Sequence, residues 1–311
     1  MNLPLADAAK STPQRRPAAL PRPRAAAAAQ RRMLGSLALL SGPTYLWLLV
    51  TIFLPLMAML YFSFLSIAPI AGPGGTFTLA HYVDIFSKPV YLINLKRSLL
   101  LGLQVTFFCV LIGYPAAYLL ARKIKNRWRE AILLLVVLPF WSNALVRTFS
   151  WTMVLSDNGL LGQLLHFIWP NGPSLDLLYS YKAIVIGLVH AYLPYMILTC
   201  YVSLQAIDGT LAEAALSLGA SHRQVFQRIV LPLSLPGLVA GSILIFVPVI
   251  GCFMEPRILG GQQGITFGTI IESQFTTSFN WPLGAAMGFV LLAVVLLVMA
   301  LFFPLLRKHL T

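Results

Sequence analysis

Six long stretches of the chain carry almost no charge: roughly Gly35 to Phe64, Ser98 to Ala121, Ala131 to Leu155, Ala183 to Ile207, Pro232 to Met254 and Leu283 to Leu306. A helix needs about 20 apolar residues to cross a hydrocarbon core of about 30 Å, so each stretch is long enough to span a bilayer once. Only the third contains a formal charge, Arg147, near its far end. The pattern predicts an all-α transmembrane protein of six helices. Pro55, Pro115, Pro139, Pro194 and Pro248 lie within spans, where proline removes a backbone donor and predicts a bent or broken helix. The connections differ in character. Leu65 to Arg97, with its GPGG, has comparable loops between spans three and four and between spans five and six. The other two are the basic ARKIKNRWRE from Ala121 to Glu130 and the segment from Asp208 to Leu231.

Composition supports the same class. Of 311 residues 58% are hydrophobic and only 10% charged, whereas a soluble domain carries about a quarter charged residues. The net charge of +13 suggests nucleic acid until the basic residues are placed. Seven Lys/Arg precede the first span, five lie between Arg122 and Arg129, and Arg223, Arg228, Arg307 and Lys308 follow on the same side: sixteen of 22. The positive-inside rule makes that side cytoplasmic, with both termini inside, and removes the case for nucleic acid. Residues 1–32, rich in Ala, Pro and Arg, read as a disordered basic tail near anionic lipid headgroups, and residues 33–311 as the transmembrane domain. The uncharged run from Met33 continues past Leu65 with no cleavage site after a short apolar core, so an uncleaved helix is expected rather than a signal peptide. Cys109, Cys200 and Cys252 lie far apart in apolar runs, without the spacing of a metal site or disulfide framework. No set of catalytic side chains falls at one membrane level, so an enzyme is not expected.

One polar segment has a strong local grammar. From Asp208 it reads DGTLAEAALSLGASHRQVFQRIVLPLSLPG. Thr210 and Glu213 fit a T-x-x-E capping box, Gly219 suits a left-handed helix end, and Ser221 with Gln224 fits a second box, S-x-x-Q. Val225, Phe226 and Ile229 then share a face before Leu231 and Pro232 lead into span five. A short helix, a glycine bend and a second short helix are expected, with Glu213 mainly capping its own helix.

Glu213-Ala214-Ala215, Gly219, Ile229 and Leu231-Pro232 match the EAA signature of ABC importer permeases at every defined position. From about Tyr45 to Leu301 the chain also resembles permeases of spermidine/putrescine-type importers. That resemblance rests on LIGYPAAYLLAR (Leu111 to Arg122), LPFWSNALVRTFSW (Leu138 to Trp151), the NGLLG after Asp157, LPLSLPGLVAGS (Leu231 to Ser242), LGG (Leu259 to Gly261) and WPLGAA (Trp281 to Ala286). It implies a six-helix type I importer permease fold with cytoplasmic EAA coupling helices. It also implies pairing with a second homologous permease, docking of two cytoplasmic ABC ATPase subunits, and solute delivery by a periplasmic binding protein. Coupling to the ATPase would fall to Glu213, Ala214, Ala215, Gly219 and Ala220. The chain has no GxxxxGK[ST] phosphate loop, so no cofactor is expected on it, and ATP and Mg would be used by the partner ATPase.

Polar groups in or near the spans are candidates for the solute path or periplasmic gate, because leaving them in lipid is costly. They are Arg147, His190, Glu255 and Arg257. Arg147 is open to snorkelling or an inter-helix pair, His190 to ordinary packing, and Glu255 and Arg257 to marking the membrane interface. Polyamine permeases often carry acids where this chain has Cys252 and Arg257, so the expected solute is a small polar compound, polyamine or amino-acid-like. The competing reading is a secondary transporter or channel working alone, which leaves the EAA segment without a task.

Overall fold

The computed structural model describes residues 23–68, 75–124, 126–168 and 177–310. Helix α1 (Pro23–Ser63) begins inside the stretch expected to be a disordered tail. Residues 23–32 are helical because the run Ala25 to Ala29 has the highest intrinsic helix propensity, and the Gln and Arg after it also rank well. Residues 1–22 of that expected tail lie outside the described residues.

The chain divides into two units, Met1–Ala58 and Met59–Thr311. The described part of the first is α1 up to Ala58. In the second, three long helices form the core: α3 (Pro89–Arg122), α7 (Tyr181–Gln205) and α10 (Leu231–Gly251). Leu101, Val105, Ala117, Leu188, Met196 and Ile245 interlock between them and are fully buried. Close approach depends on small residues, as in other helix pairs without a hydrophobic drive toward one another. A Cβ on Gly237 of α10 would stand 2.6 Å from the carbonyl oxygen of Thr199 in α7, and one on Gly113 of α3 would stand 2.8 Å from Met196 Cγ.

Five helices of the described residues are long and apolar enough to span a membrane, and a bent pair supplies a sixth. That pair is the expected third span, which is not one continuous helix. Helix α4 (Asn126–Val137) passes into a 3-10 turn at Leu138–Trp141, and α5 (Ala144–Leu155) and α6 (Leu160–Ile168) follow. The two arms meet at 99°. Pro139 sits in the turn, Ser142 and Asn143 are extended, and the Asn143 side chain accepts from Leu145 N at 2.8 Å, so a new helix starts where the old one fails. The prolines inside α3, α7 and α10 leave those helices continuous. Asn143 is the difference: a side chain able to restart the helix in a new direction.

The remaining elements are short helices in the connections and one last span. Helix α2 (Ala80–Ser87) precedes α3. Helices α8 (Gly209–Ser217) and α9 (His222–Val225) lie between α7 and α10, and α9 joins α10 through a π turn at Phe226–Val230. After α10 come α11 (Met254–Leu259), a 3-10 turn at Gly261–Gly264, α12 (Phe267–Thr276) and α13 (Trp281–Leu310). Phe267, Ala286 and Met287 form a second core cluster with Ile85 of α2 and Leu95 of α3. It is pinned where Phe267 N donates to Ser98 Oγ at 2.9 Å.

Candidate coupling and solute-path sites

Helix α8 starts at Asp208, not through the expected Thr210–Glu213 box. The Asp208 carboxylate accepts from Thr210 N at 3.0 Å, which satisfies an orphan donor and sets a negative charge against the positive end of the helix. Thr210 lies inside the helix, and the Glu213 side chain is exposed without a cap bond. The expectation that Glu213 mainly caps its own helix is therefore corrected: its carboxylate is exposed and bonds to none of the described residues. The hydrogen bonds from Thr210 hold the Asp208 carboxyl below its ordinary value. A depressed carboxyl stabilises the fold above the unfolded Asp value, about 3.9, and loses that contribution as pH falls through its folded value. Amide exchange at Thr210 and Leu211, corrected for intrinsic rates, should therefore stay protected from neutral pH to about pH 4 and rise below it. In Asp208→Ala it should be fast throughout.

At the other end Gly219 adopts φ +86°, and α8 closes in a Schellman turn: Ala220 N donates to Ala215 O at 3.0 Å and Gly219 N to Leu216 O at 2.9 Å. The second expected capping box is present. Gln224 N donates to Ser221 Oγ and Ser221 N to Gln224 Oε1. The π turn then places Phe226 edge-on to Tyr118 (centroids 5.5 Å apart) and near Tyr114 at 6.2 Å, while Tyr114 Oη and Ser234 Oγ share a hydrogen bond of 2.8 Å. Arg122 closes the end of α7 by donating to the carbonyls of Leu204 and Ile207. Thus the base of the helix pair is bolted to α3, α7 and α10.

The candidate coupling residues divide between two faces. Ala215 and Ala220, with Ala212, pack inward against the core. Glu213, Ala214 and Gly219 face outward, accompanied by Leu211 and Leu218, the latter 89% exposed. The two leucines were not singled out from sequence, yet Leu211, Ala214 and Leu218 stand at i, i+3 and i+7, the spacing of one helical stripe.

The path candidates form one pair and two separate residues. Arg147 and His190 line a cavity of about 260 Å³ together with Pro139, Ser142, Ser150 and Trp151. Arg147 donates to Pro139 O at 3.2 Å across the break before α5, and the Trp151 indole donates to His190 Nδ1 at 3.2 Å. His190 is therefore held as an acceptor at the cavity wall. Arg257 does not pair with Glu255; it forms an ion pair with Glu272 of α12, a residue sequence reasoning passed over. Helix α11, which carries both Glu255 and Arg257, packs against α5 and α7.

Comparison with known proteins accords with this geometry. Residues 113–311 match the family described as binding-protein-dependent transport system inner membrane component. The chain is 35% identical over 256 residues to the spermidine/putrescine transport system permease protein PotB of Salmonella typhimurium strain SL1344, covering 82% of this chain and 88% of that one. It is 36% identical to PotB of Haemophilus influenzae, over 77% and 83% of the two chains. A crystal structure of a bacterial ABC transporter involved in importing the acidic polysaccharide alginate superposes with a TM-score of 0.70 at 18% identity, over 92% of this chain and 99% of that one, which shows the fold alone. The fold is that of type I importer permeases, and the chain belongs to the binding-protein-dependent inner-membrane component family, the transport subunits of ATP-driven (ABC) importers.

Proposed function

We propose that this chain forms half of the solute path of an importer and is driven by a separate ATPase that grips α8. The observation that carries this is the outward stripe of Leu211, Ala214 and Leu218 beside the uncapped Glu213, on a helix whose inner face is fixed to the core. An exposed apolar stripe of this kind is a docking feature rather than a lipid anchor, because it sits on a nine-residue helix outside the spans. Movement of α8 is transmitted through Phe226 to Tyr114 and Tyr118 of α3 and through the π turn to α10. A second homologous permease, two ATPase subunits using ATP and Mg, and a periplasmic binding protein complete the machine, with both termini of this chain cytoplasmic.

The solute is a small polar compound of the polyamine class, supported by the likeness to PotB over most of both chains. The test is to co-express the chain with the ATPase and permease encoded beside it and to measure ATP hydrolysis with the neighbouring binding protein, loaded with spermidine or empty. Stimulation by the spermidine-loaded form supports both coupling and solute class. Stimulation only by a binding protein carrying a non-amine solute leaves the coupling in place and overturns the solute class.

A further inference from the structure

The Arg257–Glu272 ion pair bridges α11 and α12, and its two members are unequally placed. The Glu272 side chain is 16% exposed and that of Arg257 57%. The other oxygen of Glu272 lies 3.0 Å from the Thr276 hydroxyl, whose single proton it shares with the Glu272 carbonyl at 2.9 Å. Glu272 also lines a cavity of about 440 Å³ with Phe253, Phe275 and Thr276. Two glycines keep that space open: a Cβ on Gly288 would meet no atom within 4 Å, and one on Gly251 only Leu291 at 3.7 Å.

A sheltered carboxylate needs a cation close by, because its lost hydration is otherwise uncompensated. Arg257 supplies one from a long and mostly exposed side chain that can swing away. Phe253 and Phe275 line the same cavity, and an aromatic ring attracts a cation that approaches its face within about 6 Å. We propose that Glu272, with Phe253 and Phe275, receives an alkylammonium group of the transported solute, and that Arg257 is the tethered cation holding the site between transport events. The proposal rests on the polyamine reading above and assigns the selectivity of this chain to Glu272. A purely structural ion pair predicts something different: removal of either partner would then do equal damage.

Equilibrium binding of labelled spermidine to the complete complex in nanodiscs, without binding protein, separates the two. Arg257→Ala should bind about tenfold more tightly than wild type, whereas Glu272→Gln should bind at least about tenfold more weakly. Gly288→Leu, which fills the cavity and leaves the ion pair intact, should also lose binding. Equal losses in Arg257→Ala and Glu272→Gln, or no binding even in Arg257→Ala, would overturn the site. If the complex answers only a binding protein loaded with a non-amine solute, the polyamine reading fails and takes this site with it. If spermidine stimulates the wild type and Glu272→Gln binds it equally well, this site alone fails.

Discussion

Replacing Leu211 and Leu218 by aspartate is expected to leave the chain folded in the membrane and to abolish its hold on the ATPase. Both side chains point outward, and neither belongs to the buried core, so the substitutions remove nothing the chain uses internally. Full burial of a leucine in an interface contributes about 1.5–3 kcal/mol, and the introduced carboxylates would have to be desolvated in addition. Leu211 is 49% exposed and Leu218 89%, so an interface can bury about 2–4 kcal/mol of leucine surface, and at 1.4 kcal/mol per tenfold its loss weakens docking at least about 30-fold. Pull-down of the ATPase on the tagged chain reads this directly, and an unchanged thermal unfolding midpoint of the isolated chain controls for folding. Glu213→Ala in the same assay should have a smaller effect, since it removes one exposed group and creates no buried charge.

The second large effect is structural. Gly237→Leu or Gly241→Leu should prevent the chain from accumulating in the membrane, because both positions are occupied by the neighbouring helix. The Cβ of residue 237 would stand 2.6 Å from Thr199 O, a backbone atom that cannot rotate away, and that of residue 241 would stand 2.9 Å from Met196 Sδ. Overpacking a core by a few atoms costs about 1–3 kcal/mol. A leucine at these crossings forces the α7 and α10 backbones apart and severs the Ser203–Ser234 bond at 3.4 Å. Gly288→Leu, where no atom stands in the way, should accumulate normally. Membrane-fraction yield and detergent thermal melts of the three variants would check this ordering.

Much of the helix-bend-helix segment was legible because its signals are local. A positive-φ glycine and a serine three residues before a glutamine need no tertiary information, and Gly219 and Ser221 behave as expected. Phe226 faces the core but in a π stretch, and the expected second short helix runs on into α10. The misreadings share a cause as well. Thr210 and Glu213 satisfy a capping pattern, but Asp208, two residues earlier and charged, competes for the same backbone donor and wins. Hydropathy averages over the third span and is blind to one polar residue that can restart a helix, so Asn143 was passed over and nothing set Pro139 apart from the other four prolines within spans. Glu272 was missed because it lies in a loop by composition; only the packing of Phe267 against the core makes its segment a helix and brings it to Arg257. The pairing of Trp151 with His190 joins residues 39 apart in the chain, beyond the reach of any periodicity.

The central claim is that solute moves through this chain only when a separate ATPase works on α8. Its most direct test is spermidine uptake by proteoliposomes containing the full complex and binding protein, with ATP supplied to the ATPase face, against liposomes containing this chain alone under a proton or sodium gradient. The account predicts accumulation in the first that stops without ATP, and none in the second. Gradient-driven uptake by the chain alone, unchanged by ATP, would contradict it and make the protein a secondary transporter.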